Sequence, residues 1–193
     1  MELCHKHGMT TMLVTNGTLP KVLEKLDTLP TQLYVSVDAP NKQVFDEICK
    51  PKWNSGAWHQ FEKTIDLLPS LDTRVVCRHT MVKGKNMADE HISQYASLDL
   101  RADPDYIECK GYVHVGHSRD NLGAENMPSH DDIMQFSNTL APLTDRLVLD
   151  DSRPSRVSLI GREIVPIPIP EPTMFFPKDL GIAESIKHLK MAS

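Results

Sequence analysis

What this sequence does without narrows its chemistry. Its four cysteines, Cys4, Cys49, Cys77 and Cys109, lie far apart and form no Cys-x-x-Cys pair. That spacing excludes a zinc ribbon and the disulfide framework of a small secreted domain. No apolar run approaches the roughly 20 residues that span a bilayer, and residues 1–8 lack the apolar stretch of a signal peptide. A cytoplasmic protein is the expectation. There is no Gly-x-Ser-x-Gly, no phosphate-binding Gly-rich loop ending in Lys, and no His-Glu-x-x-His. By spacing alone, no catalytic apparatus is complete. Nine histidines are present, but neither His5 with His7 nor His114 with His117 has acidic or cysteine neighbours at ligand spacing, so no metal site is expected. An overall basic excess is also missing. At a net charge of −5, any nucleic-acid site has to be a local patch on an acidic body.

What is present describes one ordinary core. The chain has 193 residues, 40% of them apolar and 24% charged, enough for a single domain with an appendage. The segment Gln32-Leu-Tyr-Val-Ser-Val-Asp-Ala-Pro40 reads as a strand over 32–38, rich in β-branched and aromatic residues and closed by proline. Ser36 and Asp38 share one face of it. Further strands are predicted at 10–17, 74–82 and 106–112, with two more at 146–151 and 156–160. Cys77 and Cys109 fall in these apolar runs and are expected to be buried free thiols.

Helical spacing covers about 19–26, 42–49, 57–68, 87–98 and 129–140, the last with Ser129 as N-cap. Residues 1–8 read as the end of a helix capped by Gly8, which suggests that something precedes it. Trp53 and Trp58 flank a glycine-containing loop and are expected to pack on the side of the domain. Strands and helices alternate at βα spacing, so an α/β fold with a parallel sheet is expected; an open sheet and a barrel are not separable by pattern. This domain occupies 1–162. From 163 to 193 the composition changes. Val165-Pro-Ile-Pro-Ile-Pro-Glu-Pro172 reads as a polyproline-like arm, either a linker or a surface wrap, followed by a short terminal helix over 179–191.

Parallel strands gather their carboxyl ends, and ligands bind there. The ends carry Asn16; then Ser36 and Asp38; then Arg78 and Thr80 with the loop Lys83-Gly-Lys-Asn86; then Glu108 and Lys110 with a loop containing His114, His117 and Arg119. Arg74 to Ala88 and Cys109 to Arg119 contain basic residues and no acid. Two such loops on one face suit an anionic ligand, phosphate or nucleic acid, although solvated loop charge is equally compatible. Glu108 and Lys110 share a face with Arg78, either as a structural ion pair or as the lining of a polar cavity.

The ordered segments Leu13-Val-Thr-Asn-Gly17, Thr31-Gln-Leu-Tyr-Val-Ser-Val-Asp-Ala39, Ser55-Gly-Ala-Trp58, Leu67-Leu-Pro-Ser-Leu71, Thr80-Met-Val-Lys-Gly-Lys-Asn86, Pro104-Asp-Tyr-Ile-Glu-Cys-Lys-Gly-Tyr-Val-His-Val-Gly116 and Glu125-Asn-Met-Pro-Ser-His130 resemble one family closely. It is the 4-demethylwyosine synthases of tRNA wybutosine synthesis, which are radical S-adenosylmethionine (radical SAM) enzymes. The resemblance implies a partial (β/α) barrel with a 4Fe–4S cluster on a Cys-x-x-x-Cys-x-x-Cys loop. The cluster cleaves S-adenosylmethionine, and the radical condenses pyruvate carbons onto N1-methylguanosine beside the anticodon of phenylalanine tRNA. It further implies cofactor contacts from Asn16, Ser36, Asp38 and Arg78. Lys83, Lys85, Glu108, Lys110, His114, His117 and Arg119 would face the substrates.

One departure is large: no Cys-x-x-x-Cys-x-x-Cys occurs in the sequence. The resemblance therefore implies the carboxyl-terminal portion of an incomplete barrel, with the first two βα units and the cluster loop missing or supplied by a partner chain. Three readings follow: one half of a radical enzyme, a cluster-free tRNA-binding module, or an inactive fragment with an exposed sheet edge.

Overall fold

The computed structural model describes residues 1–51 and 56–174. Trp53 and the expected helix at 179–191 lie outside the described residues. The elements run α1 (Glu2–Lys6), β1 (Met12–Thr15), α2 (Pro20–Glu24), β2 (Gln32–Ser36), α3 (Lys42–Cys49), α4 (Ala57–Leu67), β3 (Arg74–Met81), α5 (Asp89–Ala102), β4 (Tyr106–Gly111), α6 (His130–Leu143), β5 (Leu147–Ser152) and β6 (Val157–Gly161).

They build one six-stranded sheet in the order β1-β2-β3-β4-β6-β5. β1 to β4 are parallel neighbours, joined by crossovers that carry α2, then α3 and α4, then α5. The last two strands correct the expectation of a wholly parallel sheet. β6 runs antiparallel to both β4 and β5. Only residues 153–156 join β5 to β6, far short of the dozen or so residues that a parallel crossover needs.

Side-chain alternation decides what the sheet buries. In β2, Leu33 and Val35 are buried while Gln32, Tyr34 and Ser36 are half-buried. Leu33, Val35, Val75, Cys77, Ile107, Cys109 and Ile160 form one face, packed by Phe61 and Ile65 of α4, Ile92 and Tyr95 of α5, and Ile133, Phe136 and Leu140 of α6. The core thus lies on one side of the sheet. The other face carries Tyr34, Ser36, Arg78, Thr80, Glu108 and Lys110, each half-buried.

Local chemistry fixes the connections. Asn41 caps α3 by accepting from Val44 N at 3.0 Å, and Ser129 with Asp132 forms a capping box on α6. Gly17 has φ +70, and a Cβ there would meet Phe61 and Val35 at 3.2 Å, so the turn out of β1 requires glycine. β1 is shorter than expected because Thr11 and Thr31 bond reciprocally, each side chain accepting from the other's main-chain N–H at 2.9 and 3.1 Å. β2 ends at Ser36 rather than at 38, although Val37 N still donates to Arg78 O at 2.8 Å.

Trp58 packs against Phe45 and Phe61, with ring centroids 5.5 and 5.3 Å away. The proline-rich arm wraps rather than dangles. Arg74 donates to the carbonyls of Val165 and of Pro166, the latter at 2.6 Å. Val165 N donates to the Tyr106 hydroxyl at 2.8 Å, and Thr173 N reaches Lys6 O at 2.9 Å. The arm therefore crosses the amino ends of the strands and meets α1. Among the described residues, no helix is long and apolar enough to cross a membrane.

Candidate functional site

Register gathers the polar residues of the half-buried face into two rows at the carboxyl ends of the parallel strands. Ser36 pairs with Arg78, and Arg78 with Glu108. Thr15 pairs with Val35, so one further step sets Asn16 level with Ser36. The second row holds Thr80 opposite Lys110, with Asp38 bonded to Thr80 at its other end. Of the expected site residues, Asn16, Ser36, Asp38, Arg78, Glu108 and Lys110 are thus brought together. The loop residues stand outside the rows.

In the first row, Arg78 and Glu108 form a network with Tyr34. Arg78 Nε donates to Glu108 Oε1 at 2.6 Å, with the two side chains 26% and 13% exposed. The Arg78 guanidinium also lies 4.5 Å from the centroid of the Tyr34 ring, a cation–π distance. The Tyr34 hydroxyl donates to Glu108 Oε2 at 3.4 Å. Burial, and then the neighbouring Glu108 charge, push the Tyr34 phenol above its ordinary pKa. Both readings of Glu108 therefore meet here: it is an ion-pair partner, and it lines the polar face. Tyr34 is absent from the residues expected from sequence, yet its two-residue spacing from Ser36 places it on the same face.

Asp38 is built differently. Its Oδ1 accepts from Thr80 N at 3.2 Å, and its main-chain carbonyl accepts from Asn86 Nδ2 at 2.9 Å. Burial raises its carboxyl pKa, opposed by the bonds from Thr80. Asn86, fully buried, also donates to Thr80 O at 2.8 Å and accepts from Val82 N at 2.7 Å. It pins the end of β2 to the end of β3, a role that its place in a basic loop does not advertise. Asn16 is exposed and folds an Asx turn, its Oδ1 accepting from Thr18 N at 3.1 Å.

The cations divide into engaged and available ones. Lys83 donates to Asp132 at 2.9 Å and Lys85 to Glu47 at 2.6 Å. Their acids come from α6 and α3, outside the acid-free sequence window. Lys110 has no ion-pair or hydrogen-bond partner among the described residues, and Arg119 bonds only to the carbonyl of His114, at 3.2 Å. His114 Nδ1 lies 3.3 Å from the Tyr112 hydroxyl. His117 is fully exposed, 3.8 Å from Asp120.

The cysteines do not offer a cluster. Cys77 and Cys109 are fully buried on the helix-covered face, as the apolar runs led us to expect. Burial pushes the Cys109 thiol up to about 12, and burial together with Asp38 and Asp46 does the same to Cys49. Among the described residues, no group of three or more histidine, cysteine or acidic side chains could hold a metal ion.

Comparison with known proteins finds relatives of one kind. A family model described as wyosine base formation matches residues 101–162. The S-adenosyl-L-methionine-dependent tRNA 4-demethylwyosine synthase of Pyrococcus horikoshii is 43% identical over 169 residues, covering 86% of this chain and 48% of that protein. The synthase of Methanocaldococcus jannaschii is 37% identical over 163 residues, covering 84% of this chain and 50% of that protein. Among solved structures, TYW1 with a lysine-pyruvate adduct bound superposes with a TM-score of 0.73 at 35% identity, over 83% of this chain and 50% of that one. An archaeal TYW1 crystal structure gives 0.66 at 31% identity, over 83% and 49%. The chain spans about half the length of the archaeal relatives it matches. Within that half, the mixed sheet is that of the radical SAM proteins it superposes on, and the chain is a homologue of the tRNA 4-demethylwyosine synthases.

Proposed function

We propose that this chain is the cofactor- and substrate-facing half of a cytoplasmic tRNA 4-demethylwyosine synthase, which condenses pyruvate carbons with N1-methylguanosine of phenylalanine tRNA. The observation that carries the reading is the pair of polar rows at the strand carboxyl ends, in a chain homologous to those synthases over about half their length. Ser36, Asp38 and Asn16 offer hydroxyl, carboxylate and amide groups suited to the ribose and amino-acid parts of S-adenosylmethionine, and Arg78 orders the row between them. A 4Fe–4S cluster has no ligand set among this chain's cysteines, so none of its residues is assigned a step at a cluster.

Strands β1 to β4 follow chain order across the sheet, and the outer edge of β1 pairs with nothing among the described residues. That edge is where two further βα units of a partial barrel add, in the half of the relatives that this chain does not align with. Exposed Met12 and Val14 on β1 give such units an apolar seat. Lys110, on the polar face without an acidic partner, faces the carboxylate of a small 2-oxo acid. Lys83, Lys85, His114, His117 and Arg119 face the RNA; the two lysines exchange their carboxylates for phosphates on binding. Glu108 lines the substrate side of the Arg78 pair.

The test is complementation. The amino-terminal half of the Pyrococcus horikoshii synthase, loaded with its cluster under anaerobic conditions, is mixed with this chain, S-adenosylmethionine, pyruvate and tRNA containing N1-methylguanosine. Mass spectrometry of the nucleosides should show 4-demethylwyosine only when both halves are present. Absence of product from a mixture that forms a stable complex and cleaves S-adenosylmethionine would overturn the proposal.

A further inference from the structure

The antiparallel return of β6 has a functional consequence. Because Val157 pairs with Lys110, and Tyr106 with Gly161, the turn between β5 and β6 lies at the same end of the sheet as the carboxyl ends of the parallel strands. Arg153, Pro154, Ser155 and Arg156 therefore join the site face, whereas a parallel reading sends this turn to the opposite end. We propose that this turn is a phosphodiester-binding element whose partner is the sugar–phosphate backbone of RNA, an inference that rests on the reading of the chain as tRNA-binding.

The turn is held rigidly where it is needed. Gly111 N, at the end of β4, donates to Arg156 O at 2.8 Å. Arg156 is locked in the left-handed region at φ +51. Its Nη1 donates to the carbonyl of Pro128 at 3.3 Å, and no carboxylate pairs with it among the described residues. Arg153 is 70% exposed and donates to Asp131 at 2.7 Å, an acid itself 77% exposed. A solvent-exposed pair of this kind is weak and exchanges readily for a stronger anion. The planar guanidinium fork fits phosphate oxygens in pairs, which a lysine does not.

The charge balance favours this end of the sheet over the loop that its sequence made conspicuous. Lys83 and Lys85 already have carboxylates. Lys110, Arg119 and Arg156 have none among the described residues, and they sit on β4, the loop after it, and the turn beside it. On a chain of net charge −5, three uncompensated cations from adjacent elements mark a local anion-binding edge.

The experiment measures affinity of the full chain for unmodified tRNA transcript by fluorescence anisotropy across a salt series. Arg153→Gln and Arg156→Gln remove the charge while keeping an unbranched stem with a polar end. Each should weaken binding and reduce the slope of log K against log salt by about one, the signature of one lost phosphate contact. Asp131→Asn releases Arg153 and should tighten binding by about twofold to fivefold, a gain that misfolding cannot mimic. Lys63→Ala, on the outer side of α4, serves as the control and should change neither. Wild-type binding with unchanged slopes in both arginine variants would overturn the assignment of the turn and leave tRNA binding standing. Failure of the wild-type chain to bind tRNA would overturn both.

Discussion

The side-chain amide of Asn86 holds the main-chain carbonyl of Asp38, donating to it at 2.9 Å. The same nitrogen donates to Thr80 O, and the amide oxygen accepts from Val82 N. One buried side chain thus closes three main-chain valences at the junction of β2 and β3. Asn86→Ala leaves all three groups without this partner, the Val82 N–H in a buried setting and the two carbonyls in a partly buried one. The expected loss is about 3 kcal/mol or more, since each buried unmade bond costs about 1–3 kcal/mol. Urea unfolding followed by circular dichroism measures it. A loss below about 1 kcal/mol would show that the junction relaxes and that the residue is not its tie.

The Tyr34–Arg78–Glu108 network predicts non-additivity. Arg78→Met strands the mostly buried Glu108 carboxylate, and the expected destabilisation is about 2 kcal/mol. Glu108→Gln alone keeps an acceptor for Arg78 and should cost less. In a double-mutant cycle the two changes should couple by about 1 kcal/mol or more. Additivity within about 0.3 kcal/mol would mean that the 2.6 Å contact contributes no measurable interaction.

The arm gives a separate prediction. Arg74 is the residue that binds two successive arm carbonyls, and its guanidinium also stacks 5.4 Å from the Tyr106 ring centroid. Arg74→Ala removes one of the two anchors at the strand ends while leaving the contacts of the arm with Tyr106 and Lys6. Limited proteolysis should then cut within residues 163–172 faster than in wild type, with the domain core still protected. Equal cleavage rates would show that the Tyr106 and Lys6 contacts keep the arm down without Arg74.

How far the sequence could be read depends on what kind of contact decides each feature. The segments around Leu33, Val75 and Ile107 declare strands because burial on one face imposes period-two alternation. The same alternation put Ser36, Arg78 and Glu108 on a common face before any register was known. Direction is a different matter. Val157 to Gly161 alternates equally well in either sense, and only the shortness of the 153–156 connection, a signal present in the sequence, marks a hairpin. The partners of Lys83 and Lys85 were illegible for another reason. Asp132 and Glu47 lie 49 and 38 residues away along the chain, and an acid-free window says nothing about acids that folding brings to it. Asn86 was hidden by its neighbours: between two lysines, a buried amide looks like one more solvated loop residue.

Asp38 supplies a pH test with a definite sign. Burial holds its carboxyl above the ordinary aspartate value in the folded chain, so the folded state keeps its proton to higher pH than the unfolded state. Stability should therefore be unaffected by Asp38 below its unfolded pKa near 4 and should fall as pH rises through the interval up to the folded pKa. Asp38→Asn removes the ionisation while its Oδ1 can still accept from Thr80 N. The variant should be more stable than wild type at pH 7, and the difference should vanish by about pH 3, below the unfolded aspartate pKa. Thermal unfolding of both proteins across that range measures this. A variant less stable at pH 7 would mean that the charged carboxylate is favoured where it lies. If Asp38 serves the cofactor as proposed, the stabilised variant should also bind S-adenosylmethionine more weakly in the complemented enzyme, because the charge that costs stability is the group that accepts hydrogen bonds from the ligand's hydroxyls.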